Sequence, residues 1–531
     1  MRKRIIRATT WSCLLAMASC HVTDLDKIKP ATISPNLALN LGFTEYTVRE
    51  LLEDLDSESL VDGPENTLAL HFEDSTVFND TEELISISSV ENQEEFAPAE
   101  NVPSSAVGYE IDINTTFTFS FPANNGEQID SLFYSSGTLD FDMVSTFKGD
   151  IDYTWVIEGT REVVTNEDLT QSNQLEYTSG NVTDTYSRPL DGLKSKFYEN
   201  ADGENEFQVV VTGTISFETG TEILPSQKME FDLAFNNPTF NKMYGIFGSD
   251  PIALQSQTID MASFDEFSGE GLKLEDPSVL LITENSFGLD LELSFDEIKA
   301  IGSDDSELLL VQKDPPGIDG FVSSSLVEGE IKVDSIILDK TNSNIDDLLN
   351  STPVAMDFTI SAVPNPASSS RDNNFLIEDS EIKIKSLIIV PMQFQMDGFT
   401  VDFEFDLDGL DIDDAESIVF NLISTNEIPF NGSIDLNFVD DQGNTIYSIP
   451  GAADIESPDV GTTGKTTEPK ITNSGIELTS EGIDALLEAQ KILAVANIST
   501  FEAEEDRFVT LYADYILKIE LSLAGEVTIE L

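Results

Sequence analysis

The sequence predicts a mainly β protein: tandem antiparallel β-sandwich-like domains with a few short helices and one longer C-terminal helix. Three observations predict it. Apolar side chains recur at every second residue over many segments, the mark of half-buried strands. Helical spacing is rare and does not alternate regularly with those segments, which disfavours a parallel α/β sheet. The 33 Phe and a 40% hydrophobic content supply packed cores, and 531 residues exceed what a single core holds.

The chain opens on Arg2, Lys3, Arg4 and Arg7, then an apolar run from Trp11 to Met17, then Ala18-Ser19-Cys20. Basic, apolar and small residues in that order make a secretory signal peptide. A Cys after two small residues is what diacylglyceryl transfer and cleavage require. Residues 1–19 are therefore expected to be removed and Cys20 to carry the lipid. Each buried CH₂ of an acyl chain contributes about 0.8 kcal/mol, so several chains anchor firmly.

Residues 20–36 read as a polar tether broken by Pro30 and Pro35. Thr47 and Glu50 have capping-box spacing and open a short helix through Leu51, Leu52 and Leu55. An N-terminal β domain is expected over 37–250, with its clearest strand from Tyr109 to Phe121. There Tyr109, Ile111, Ile113, Thr115, Phe117, Phe119 and Phe121 share one face. Ile151-Tyr153-Trp155-Ile157, Phe207 to Phe217 and Met229 to Phe235 repeat the pattern.

A C-terminal β-rich region follows over 251–531, with a further division near 375 left open. Its strands are expected at Val354 to Ile360, Val401 to Leu407, Leu511 to Leu523 and Val527 to Leu531. A short helix is expected at Ile345-Asp-Asp-Leu348-Leu349. The longest helix is expected from Glu481 to Ala496, with Thr479 or Ser480 as N-cap and Ile483, Leu486, Leu487 and Leu493 on one side. Long loops are expected at 76–108, 158–205, 362–374 and 450–476. An internal echo links Asp276 to Gly288 with Ser417 to Pro429: each is an apolar run ending in Asn, with Gly or Pro three residues later. The echo reads either as duplication or as common turn chemistry.

The formal charge is −72, with 99 acidic against 27 basic residues. Such a field repels nucleic acid and anionic lipid surfaces, which excludes nucleic-acid binding. The two cysteines, Cys13 and Cys20, lie in or at the edge of the signal, so the mature chain forms no internal disulfide and no thiolate site. The two histidines, His21 and His71, are too few for a His-based zinc site. No later run is long and apolar enough to span a bilayer. The membrane is expected to be reached through the N-terminal lipid alone.

Asp406, Asp408, Asp411 and Asp413, beside Asp402, Glu404 and Asp414, are candidate calcium ligands, since hard cations take several carboxylate oxygens. The rival reading is the wet face of a strand whose apolar face is Val401, Phe403, Phe405 and Leu407. Asp440-Asp441 with Gly443 reads as a hairpin turn. No other cofactor is indicated. His71 sits in an apolar strand and is expected to be structural. With no base beside a nucleophile, no phosphate loop and no nucleophile elbow, the chain is expected not to be an enzyme. Trp155, alternating with Ile151, Tyr153 and Ile157, is expected in a core. Tyr177, Tyr186 and Tyr198 are the candidate loop aromatics for a sugar.

Several stretches carry a resemblance. They are Cys20 followed by Asp24 and Asp26, the stretch from Pro35 to Leu55, and Phe264 to Gly288 with its Gly271-Leu-Lys-Leu-Glu-Asp-Pro277 centre. The segments Asn344 to Asn350 and Asn426-Glu-Ile-Pro429 belong with them. In these the chain resembles the uncharacterised acidic outer-membrane and surface lipoproteins of Bacteroidota. The resemblance implies an outer-membrane, lipid-anchored protein displayed at the cell surface, because acidic residues after the lipidated cysteine accompany display in that group. Here His21 and Val22 delay those acids, and Lys27 and Lys29 interrupt them. The resulting expectation is a non-catalytic surface binding, adhesion or assembly module with a protein or glycan partner of unknown identity. The alternatives are a carrier of an apolar ligand in a β-sandwich or barrel cavity, and a glycan-binding surface protein.

Overall fold

The structure, a computed structural model, describes residues 32–33, 36–56, 59–80, 84–85, 87–98, 108–121, 128–199, 205–266, 270–313, 320–325, 327–366, 374–407, 415–461, 464–505, 507–527 and 529–530. Long antiparallel strands dominate it, joined by short helices.

Tyr109–Phe121 forms a strand with the bounds its alternation predicts, burying Ile113, Phe117 and Phe119. It pairs with Asn205–Phe217, which pairs with Asp150–Glu162, which pairs with Asp168–Leu175. A second set runs Val182–Pro189, Gln128–Ser145, Met229–Ile246, Val90–Phe96. The short strand Leu193–Lys196 pairs with both sets and joins them into one eleven-stranded sheet. Aromatic rings interlock between the two sets. Phe141 stacks on Trp155 at 4.7 Å, while Phe117 meets Phe231 and Phe207 meets Phe235 at 5.4 Å. The alternation therefore packs two inner faces against each other as a sandwich with a filled aromatic core.

The rest of the described chain contains one strand plan twice. Lys332–Leu338, Ser278–Asn285, Ile382–Pro391 and Leu68–Phe78 lie side by side. So do Lys470–Glu477, Ala415–Asn426, Ile516–Val527 and Asn36–Thr47. In each group the last strand comes from the N-terminal part of the chain. The companion sheets also correspond. Gln257–Asp260, Ala355–Pro364 and Leu291–Ile301 match Gln393–Asp406, Lys491–Thr500 and Phe430–Val439. The helices Ile345–Asn350 and Ser480–Glu488 occupy the same place in the two orders.

The sequence echo falls at equivalent corners of the two plans. Asn285 and Asn426 are both buried. The Oδ1 of each accepts the N–H two residues on, Phe287 or Ile428, at 2.9 Å. The Nδ2 of each donates to the carbonyl four residues on, Leu289 at 3.1 Å or Phe430 at 2.9 Å. Each also donates to one distant carbonyl, Ser323 or Glu456, at 3.1 Å. A buried amide meeting the same three partners at both corners supports duplication over common turn chemistry.

Several expectations are corrected. The longer C-terminal helix ends at Glu488, and Lys491–Thr500 is a strand. Its Ile492, Ala494, Ala496 and Ile498 are buried at period two, and the small Ala residues hid that alternation. The strand expected from Leu511 begins at Ile516, because a turn closes with the Tyr515 N–H donating to the Tyr512 carbonyl. The loop expected at 158–205 is largely strand. Asp168–Leu175 is rich in Asp, Thr, Ser, Asn and Gln and Val182–Pro189 in Thr, Ser and Asp, so neither has a full apolar face. The loop at 76–108 contains Val90–Phe96, and that at 450–476 begins in Thr445–Ile455 and ends in Lys470–Glu477. Strand pairing also crosses residue 250: Asn36–Thr47 pairs with Ile516–Val527, and Leu68–Phe78 with Ile382–Pro391.

Candidate functional site

The most distinctive concave site lies on the outside of the first sandwich, around Leu193–Lys196. Leu193, Ser195 and Phe197 are buried, so the alternation turns Lys194 and Lys196 outward. Ser195 fixes the strand from beneath: its Oγ accepts from the Tyr134 hydroxyl at 2.9 Å and contacts Thr160 Oγ1 at 2.8 Å. Burial pushes the Tyr134 phenol well above its ordinary pKa, so it stays a donor.

A bulge supplies the neighbouring wall. Between Ile157 and Arg161 the register of Asp150–Glu162 shifts, and Gly159 takes φ +85°. A Cβ there would stand 2.7 Å from the Lys196 carbonyl oxygen, so glycine permits both the turn and the close approach. Past the bulge, Arg161 lies opposite Lys194, which on its other side lies opposite Phe133.

Phe133, Arg161, Asn166, Lys194, Lys196 and Tyr198 line a groove of about 320 Å³. Tyr198 is 51% exposed. Lys194 Nζ stands 5.8 Å from the Phe133 ring centroid, and Lys242 Nζ stands at the same distance. Arg161 is held by Asp168 at 2.7 Å, and Lys242 by Glu328. Among the described residues Lys194 and Lys196 have no carboxylate within ion-pair distance. Many basic side chains elsewhere are paired, as Lys228 with Glu95 at 3.0 Å and Lys491 with Glu404 at 2.7 Å; what sets Lys194 and Lys196 apart is that they share one concave groove. In a chain of charge −72, this groove therefore concentrates unneutralised positive charge beside aromatic faces.

The sequence candidates fall elsewhere. Cys20, Asp408, Asp411, Asp413 and Asp414 lie outside the described residues. Asp402, Glu404 and Asp406 are exposed on Gln393–Asp406, alternating with buried Phe403, Phe405 and Leu407. Asp440 forms the expected turn, its Oδ1 accepting the Gln442 and Asn444 N–H groups. Trp155 is buried. Tyr186 lies on a strand and packs edge-on against Trp155 at 5.1 Å, so it is no loop aromatic. His71 is half-buried on Leu68–Phe78, and burial lowers its pKa. Of the three tyrosines, Tyr198 alone borders the groove.

No family model and no curated protein matches the chain. Among solved structures, a protein described as secreted from Parabacteroides distasonis ATCC 8503 is 16% identical, with a TM-score of 0.33. The match covers 52% of this chain and 83% of that one. A triple jelly-roll protein from an archaeal virus is 10% identical over 85% of this chain and 95% of that one, with a TM-score of 0.13. Scores this low carry no argument about function. No helix among the described residues is long and apolar enough to cross a membrane.

Proposed function

We propose that the protein is a non-catalytic, lipid-anchored lipoprotein of the outer membrane that binds its partner at the cell surface. The supporting observation is the division of labour in the first sandwich: its interior is filled by interlocked rings, and its concave, charged surface faces outward. A carrier of an apolar ligand needs an interior space. Among the described residues, an apolar hollow lined by Leu52, Met396, Phe399 and Ile498 holds about 30 Å³, room for about two waters. Cys20 supplies the anchor in this reading.

Partitioning and surface proteolysis test it. Wild type should enter the detergent phase and be cut by protease added to intact cells. Cys20→Ser should leave the detergent phase. Unchanged partitioning of Cys20→Ser would remove the anchor, and protection of wild type until cells are broken would remove surface display.

A further inference from the structure

We propose that the groove around Leu193–Lys196 binds an acidic carbohydrate, with sugar carboxylates on Lys194 and Lys196 and a sugar ring face on Tyr198. The inference rests on the external-binder reading above and names its ligand class.

Charge is the first argument. Arg161 and Lys194 are direct neighbours across adjacent strands, an arrangement that repels. Asp168 relieves Arg161, but no carboxylate within ion-pair distance relieves Lys194 or Lys196 among the described residues. The chain has 99 acidic residues available for that purpose. Lysines left unneutralised in a concave site have their charge available for an anion. The spacing fits a chain ligand: Lys194 and Lys196 lie two residues apart on one strand face, roughly 6.6 Å along it. Two carboxylates on a linear molecule can meet them together.

The second argument separates sugar from peptide. The walls combine ring surface with short polar groups: the exposed Tyr198 and the half-buried Phe133 beside Asn166 and Ser131. A pyranose has an apolar C–H face for stacking and hydroxyls for those groups, and a uronic acid adds the carboxylate. An acidic peptide satisfies the lysines but leaves the open tyrosine face without a specific partner. The strand platform is rigid, held by Ser195 and the Gly159 bulge, so the site is formed before the ligand arrives.

Isothermal titration of the chain with hexamers of galacturonate and of mannuronate tests this, with a neutral galactose hexamer and hexaglutamate as controls. At least one uronate hexamer should bind, and both controls should bind at least about tenfold more weakly. Lys194→Gln/Lys196→Gln should weaken uronate binding by about tenfold or more and flatten its salt dependence. Tyr198→Ala should weaken it by about fivefold or more. Circular dichroism of each variant, matching wild type, excludes misfolding. No uronate binding, equal binding of hexaglutamate, or uronate binding unmoved by the lysine pair overturns the proposal. Any of these can occur while surface proteolysis and Cys20-dependent partitioning still succeed, so failure here is distinct from failure of the external-binder reading.

Discussion

Replacing Asn426 by Ala should open its corner of the second strand plan, and the size of the effect follows from the partners. Asn426 accepts the Ile428 N–H and donates to the Phe430 and Glu456 carbonyls, at 2.9, 2.9 and 3.1 Å. Alanine removes all three bonds from a buried site. A buried hydrogen bond contributes about 1 kcal/mol net, and stranding a partner costs about 1–3 kcal/mol. Some of the freed backbone groups will recover a partner, which leaves about 3 kcal/mol. Amide exchange read by mass spectrometry resolves the effect segment by segment, which matters in a chain too large for two-state unfolding. Exchange in 415–439 should accelerate by about 150-fold, since 1.4 kcal/mol is tenfold. Asn285→Ala should do the same to 278–301 within a factor of about five. An acceleration below about fivefold in either variant would refute the account of the buried amide. One large and one negligible effect would refute the equivalence of the two corners.

Other outcomes follow from single contacts. Trp155→Ala should cost about 3–5 kcal/mol, because its ring is buried against Phe141. Trp155→Phe should cost clearly less, because the buried indole N–H has no hydrogen-bond partner to lose; amide exchange over residues 150–162 in both variants checks this. The Thr47 N–H donates to Glu50 at 2.8 Å and holds its carboxyl below the usual range. A lowered folded pKa stabilises at pH above the unfolded value and is lost as pH falls through the folded value. Wild type should therefore lose more stability than Glu50→Gln on acidification through and below about pH 4, read from melting curves at successive pH. Strand alternation accounts for Asp402, Glu404 and Asp406, so millimolar calcium should leave the melting temperature unchanged. A rise that disappears in Asp411→Asn/Asp413→Asn would restore the calcium reading.

Strands with one apolar face were legible residue by residue, as Tyr109–Phe121 shows, because a filled sandwich demands strict alternation. The Thr47 and Glu50 capping box was legible for a similar reason: both hydrogen bonds are local. Polar strands such as Asp168–Leu175 were not, since their pairing is set by neighbours distant in sequence. Lys491–Thr500 misled because Leu486, Leu487 and Leu493 fit a helix while the buried Ala494 and Ala496 barely register as apolar. The groove was missed because it unites Arg161, Lys194 and Phe133 through strand pairing. One local signal was available: Lys194, Lys196 and Tyr198 alternate on one face of an otherwise acidic chain.

Native mass spectrometry of the full-length protein, extracted gently from the cells that make it, tests the central claim most directly. The account predicts a chain beginning at Cys20 that carries its acyl chains and no lipid held in the interior. A chain retaining residues 1–19 without acylation, or a stoichiometric lipid released only on unfolding, would contradict it.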